Sequence, residues 1–398
     1  MHHGFTRSER FVTALCEQSF LKLWTHPNPK GKKNKELCDC LIVCGPHIVI
    51  ISVKECNYKD TGDKTGLDRW MKNAVKKSAA QIWGAERWLE TTVEFERNDG
   101  RMVRLPAKEE RIVHRISVSL GGAGKVPFKW GDLGNGFVHV CNEKSVDVLL
   151  GALDTITDLV EFLTKSEKLI NDGVYRFDGG GLEDLVALYL SWGNSFEAPV
   201  DLSQQPDMLI LDDNLWEYYS NSPKFDAKRK ELEDSYYWDQ LIENFTADLL
   251  TNCMFDMHSK KVTDNELALV AMALQPRGHR ANLAEAFMAF LKNSELKIAS
   301  RAALGHANTA FVFLIGKSSR REYRAQELKL RSLVIRGRAP DVTTVVGIAT
   351  DRPGTSENGY SEDIVYLHMP EWTAQNEHQV CDIQAELKYF WNTKWSKH

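Results

Sequence analysis

The side chains with the clearest chemical potential sit in two short apolar runs. Asp39 interrupts LCDCLIVC (37–44), and Lys54 ends IVIISVK (48–54), with Gly45 and Pro46 at the join. Such runs around a Gly-Pro punctuation read as a hairpin. If residues 44–47 form the connection, Val43 pairs with Ile48, Asp39 falls opposite Ser52, and Leu37 falls opposite Lys54. Directly paired residues project from one face of an antiparallel ladder, and side chains alternate along each strand. Asp39, Ser52 and Lys54 therefore share a face. A slip of one residue would put acid and base on opposite faces.

A carboxylate beside an ammonium suits phosphodiester hydrolysis. The carboxylate offers a hard oxygen ligand to Mg²⁺ or Mn²⁺. A metal there polarises the phosphate and acidifies a water, and the ammonium stabilises the charge that develops. The plainer alternative is a structural ion pair between strands. A charge inside each apolar run needs one explanation or the other.

The elements that must position these groups follow from periodicity and punctuation. Residues 8–24 predict a helix with Ser8 as N-cap, ended by Pro27 and Pro29. A basic loop (Lys30, Lys32, Lys33, Lys35) leads into the hairpin. A polar loop at 57–67 precedes one long helix, 68–91, with Met71, Val75, Ile82, Ala85 and Leu89 on a stripe. Strands are expected at 111–119 and 136–141, and a helix at 145–165. Residues 225–293 read as helical. Strands at 309–316, 343–349 and 364–368, with a helix at 320–335, predict a small α/β unit. The expected fold class is α/β, in three regions: 1–125, a mostly helical 126–295, and 296–398.

The run Glu36-Leu37-Cys38-Asp39, the turn, and Ser52-Val53-Lys54 resemble the PD-(D/E)xK nuclease superfamily, over about 30% of the chain. The resemblance implies a restriction-endonuclease-like core of helix, three strands, helix and strand, with the first strand short and hidden near 22–36. It assigns Asp39 to metal binding and Lys54 to the closing Lys. Glu17, on the first helix, is where many members carry a further metal-binding Glu. Gln81 matches a Gln that one branch carries on the second helix, although Ala85 stands where that branch has an aromatic. Ser52 occupies the position of the second acid, and this departure opens an alternative: a nuclease-like fold that binds nucleic acid or a protein without cutting. The implied activity is Mg²⁺- or Mn²⁺-dependent cleavage, DNA and endonuclease action being favoured, in restriction of foreign DNA or in repair. Asp39, Lys54, Glu17, Ser52 and Gln81 would be the catalytic set, with Asp39 and Glu17 on the metal. Lys30, Lys32, Lys33, Lys35 and Lys77 would meet the phosphate backbone. Residues 145–398 would then supply contacts to a protein partner or a second copy.

Other signals weigh less. Cys38, Cys40 and Cys44 lack the spacing of a zinc knuckle and read as small core residues on the face opposite Asp39. The GGG at 179–181 lacks the Walker residues and reads as a turn. A second basic cluster spans 317–338, divided evenly between phosphate contact and a solvated helix face. Net charge is −5 and hydrophobic content 43%, so nucleic-acid contact must rely on local patches rather than the whole surface. The scattered cysteines, the lack of an apolar leader and the lack of a roughly 20-residue apolar run predict a cytoplasmic protein without a membrane span.

Overall fold

The computed structural model describes residues 6–391 apart from 123, 125–130, 173–174, 178–179, 198–208, 212, 252–262, 294–298, 317–320 and 352–361. The chain divides into two compact units, Met1–Lys230 and Glu231–His398. The sequence predicts three regions, with breaks after 125 and 295. The strand at 137–141 belongs to the first sheet, and helices before 295 pack on the last one.

The first unit opens with α1 (Arg7–Trp24). Its N-cap is Thr6, not Ser8: Thr6 accepts from the Glu9 N–H at 3.2 Å, and Glu9 Oε2 accepts from the Thr6 N–H at 3.0 Å. This reciprocal box satisfies two otherwise orphaned donors and leaves Ser8 to donate to Glu55. The short first strand is β1 (Thr25–Pro27), followed by β2 (Cys40–Cys44) and β3 (His47–Glu55). β2 and β3 are antiparallel in the register derived above, with Val43 opposite Ile48 and Cys40 opposite Ile51.

The expected long helix is broken into α2 (Lys64–Met71), a π turn over Lys72–Lys76, and α3 (Lys77–Leu89). The π turn absorbs an extra residue while Val75, Ile82, Ala85 and Leu89 all stay buried. A hairpin of β4 (Glu94–Glu96) and β5 (Met102–Arg104) precedes β6 (Ile112–Leu120), which runs parallel to β3. β7 (Gly131–Asp132) and β8 (Phe137–Cys141) complete a sheet of order β1-β2-β3-β6-β8-β7. β3, β6 and β8 are parallel neighbours. Helices cover both sides of them, which explains their nearly unbroken apolar sequences.

On one side Leu41, Val43, Ile48 and Ile50 pack against Ile82, Ala85 and Leu89 of α3. α4 (Glu143–Ala152) joins α1, where Ser19 Oγ donates to Leu150 O at 2.7 Å. α5 (Ile156–Asn171), β9 (Tyr175–Phe177), α6 (Leu182–Ser191), β10 (Leu209–Leu211), α7 (Leu215–Ser220) and α8 (Pro223–Glu231) follow. Gly181 of the glycine run begins α6, and its N–H donates to Asp184 Oδ2 at 3.0 Å.

The second unit begins with α9 (Ser235–Thr251), α10 (Asp264–Ala273) and α11 (Arg277–Asn293). Its sheet has the order β11 (Ala299–Leu304), β12 (Thr309–Ile315), β13 (Thr344–Thr350), β14 (Glu362–His368), with only the central pair parallel. α12 (Arg321–Arg338) links β12 to β13, and α13 (Ala374–Leu387) follows β14. Alternation divides β12 between two layers. Ala310, Val312 and Leu314 pack with Leu328 and Ile335 of α12. Phe311 meets Trp238, and Phe313 meets Phe287, with ring centroids 5.1 and 4.9 Å apart. β11 escaped the sequence reading because ASRAAL carries little apolar signal. Among the described residues no helix is long and apolar enough to cross a membrane.

Candidate active site

Asp39 sits at a bend just before β2, beyond the last laddered pair. Its side chain takes over where the backbone ladder stops: Asp39 Oδ2 accepts from the Val53 N–H at 2.7 Å. Lys54 Nζ lies 3.7 Å from the same oxygen. Asp39 is only 2% exposed, while Lys54 is partly open to solvent. Ser52, fully buried, donates to Gln81 Oε1 of α3 at 3.0 Å. Ser52 also lies within hydrogen-bonding reach of Asp39, so its one proton has two competing acceptors. The hairpin and α3 thus gather Asp39, Ser52, Lys54 and Gln81 into one constellation.

Three neighbours escaped the sequence reading. Glu36, exposed and three residues before Asp39, brings a second carboxyl beside it. Ser117 and Ser119 of β6 stand opposite Ser52 and Lys54 and are 3.2 Å apart at their hydroxyls. The alternation of RIVHRISVS marks that face, but only the register across β3 and β6 assigns the two serines to this site.

Electrostatics set the character of the cluster. Burial pushes the Asp39 carboxyl above the usual carboxylate range, against the opposing pull of Lys54 and the Val53 N–H. Desolvation of its carboxyl, then the charges of Asp39 and Glu9, push Glu36 up as well. Two adjacent carboxyls that both resist ionisation are a place where a cation lowers the energy. Among the described residues no three His, Cys, Asp or Glu side chains form a ready-made ligand set. Mg²⁺, however, is commonly held by one or two carboxylates together with waters and substrate phosphates. Asp39 and Glu36 fit that requirement.

The charge of Glu17 acts on the Cys40 thiol and on Arg97. The α1 carboxylate that acts on Asp39 is Glu9, two turns earlier and already engaged in the helix cap. In the basic loop, Lys33 and Lys35 are exposed, Lys30 pairs with Glu96 at 3.4 Å, and the Lys32 side chain lies outside the described residues. Lys77 is exposed one turn before Gln81.

Elsewhere the charged and reactive groups turn inward. Cys38, Cys40 and Cys44 are buried free thiols. Cys38 packs in the α3-side cluster, and strict alternation begins only at Cys40, beside Cys16. In the second basic cluster Arg324, Arg331 and Arg336 are buried, while Arg321 and Lys329 are exposed. Arg324 bonds Asp351 Oδ1 at 2.5 Å and Asp363 Oδ2 at 2.6 Å. Arg331 pairs with Glu327 at 2.6 Å and stacks on Tyr389, and Arg336 lies over Trp372. Lys317 and Arg320 lie outside the described residues.

A histidine group crosses β3, β6 and β8. His47 and His114 have ring centroids 5.9 Å apart, and His139 lies against Phe137. Burial, then neighbouring positive charge, lowers His114 to about 4 and His139 to about 3. Comparison with protein-family models, curated proteins and solved structures finds no match to this chain.

Proposed function

We propose that the first unit is a metal-dependent phosphodiester hydrolase acting on DNA. The observation that carries this reading is the convergence of Asp39, Glu36 and Lys54, with both carboxyls raised in proton affinity beside an ammonium 3.7 Å from Asp39. The order α1, β1–β3, α2–α3, β6 adds support, since it parallels the core of the PD-(D/E)xK superfamily that the motif resembles. Glu36 would supply the second carboxylate that Ser52 cannot. Asp39 and Glu36 would hold Mg²⁺ or Mn²⁺, which when bound polarises a phosphate and acidifies a water. Lys54 stabilises negative charge developing on the phosphate. Gln81, tied to Ser52, orients the polar floor of the site. Glu17 is left out of the metal set because its charge acts on Cys40 and Arg97. Endonuclease action in restriction of foreign DNA or in repair is the role that the resemblance implies.

A second reading has its own support. Ser52 replaces an acid, and Asp39 is nearly sealed and already bonded to a backbone N–H. Both features favour a module that holds nucleic acid, or a protein, without cutting.

Cleavage assays with Mg²⁺ and Mn²⁺ on single- and double-stranded DNA and RNA separate the two. The hydrolase reading expects metal-dependent cutting that Lys54→Ala reduces by about a hundredfold or more, with binding retained. A wild-type protein that binds but never cuts with either metal leaves the second reading standing.

A further inference from the structure

We propose that the outer face of the α2–π turn–α3 segment is the docking surface for the phosphate backbone of duplex DNA. The inference rests on the hydrolase reading for its choice of partner, but its own evidence lies in this segment. From Lys64 to Ala80 the exposed charged residues are Lys64, Arg69, Lys72, Lys76 and Lys77, against Asp68 alone. The chain as a whole carries −5, so the segment runs against the overall balance. None of these five cations forms an ion pair among the described residues, whereas Lys30, Lys144, Arg115, Arg321, Arg324 and Arg331 are paired.

The same segment reaches the candidate site. Ser78 Oγ donates to Ser52 O at 3.2 Å, and Gln81 accepts from Ser52. Residues four apart on a helix stand one above the other, so Lys77 lies directly along the stripe that ends in Gln81. The π turn over Lys72–Lys76 carries two of the cations, and such interruptions concentrate at functional sites. A backbone lying along this face would therefore be led to Gln81, Ser52 and Lys54.

Geometry and composition select the form of nucleic acid. Lys64 to Lys77 spans roughly 20 Å at helical rise, the length of about six phosphates along one strand. Proteins that hold single strands place exposed aromatics among the cations for base stacking. Here Trp70 is 3% exposed and donates to Cys56 O, and Trp83 and Trp88, farther along α3, are partly buried against the core. A surface of cations without stacking platforms fits the outside of a duplex, where contacts to phosphate position the protein.

The test measures binding of a labelled 30-base-pair DNA duplex and of the matching single strand, in EDTA so that no cutting intervenes, over a salt series. The variants are K72E/K76E/K77E and the neutral K72Q/K76Q/K77Q, with thermal melts to verify folding. The expected result is duplex affinity weakened about tenfold or more for the charge reversal. The slope of log affinity against log salt should become shallower by about 2 to 3 in both variants. Unchanged duplex affinity and slope, loss confined to the single strand, or a wild type that ignores the duplex at low salt would each overturn the proposal. A protein that binds duplex through this face yet never cuts would leave the surface standing and remove the hydrolase reading. Cutting that needs Lys54 but survives the charge reversal with normal binding would do the opposite.

Discussion

Lys54 Nζ and Asp39 Oδ2 lie 3.7 Å apart, Lys54 near the end of β3 and Asp39 just before β2. The hairpin register brings them together, and the Val53 N–H, between Ser52 and Lys54, fixes the acid from below at 2.7 Å. Glu36 then adds a second carboxyl to a spot that already disfavours negative charge.

Asp39→Asn tests that strain. Because folding raises the Asp39 pKa above 3.8, its protonated form is favoured by the folded state. The associated stability is fully present below the unfolded value and lost as pH rises through the folded value. Asn keeps a carbonyl for the Val53 N–H and does not titrate. The melting temperature of wild type minus that of Asp39→Asn should therefore fall between pH 4 and pH 7 in EDTA. At pH 7, Mg²⁺ should raise the wild-type melting temperature and leave the variant's unchanged. A variant that is less stable by a few kcal/mol at pH 7 and indifferent to metal would mark the pair as structural.

Ser52→Asp places an acid where the resembling superfamily has one. It adds a third carboxyl to a buried position beside Asp39 and removes the hydroxyl that Gln81 accepts from. In EDTA the variant should melt lower than wild type. Mn²⁺ or Mg²⁺ should recover more stability in the variant than in wild type, read by melts in a metal titration. Equal metal responses would argue that no ion occupies this spot.

His114→Phe isolates the acid sensitivity of the histidine group. Folding lowers His114 from 6.5 to about 4 by burial, so its contribution is present above pH 6.5 and is lost as pH falls toward 4. That shift corresponds to about 3 kcal/mol when fully expressed. Denaturant unfolding at pH 7 and at pH 4 should show wild type losing about that much more than the variant. Parallel pH dependence in the two proteins would show that His114 does not stay neutral in the fold.

Arg324→Ala should act on stability and not on nucleic-acid binding. Arg324 is 2% exposed and holds both Asp351 and Asp363, and removing one member of a buried network leaves the others uncompensated. The expected loss is about 3 to 5 kcal/mol, read by denaturant unfolding. A folded variant of normal stability that loses DNA affinity would return α12 to the list of phosphate-binding surfaces.

Much of the first unit was legible in the linear order of residues. The apolar runs around Gly45-Pro46 determined the hairpin, and pairing arithmetic determined that Asp39, Ser52 and Lys54 share a face, because strand side chains alternate whatever the surroundings. Helix periodicity likewise determined the stripe of Val75, Ile82, Ala85 and Leu89. Tertiary structure decided the rest. Glu36 stands beside Asp39 because a loop's path depends on what it packs against and not on its spacing. Ser117 and Ser119 join the site only through the parallel register of β3 and β6, which no local pattern encodes. The arginines of α12 read as a basic surface in sequence, yet their partners Asp351, Asp363 and Tyr389 come from distant positions. Charge is a property of the residue, but whether it faces water or a buried counter-charge is a property of the fold.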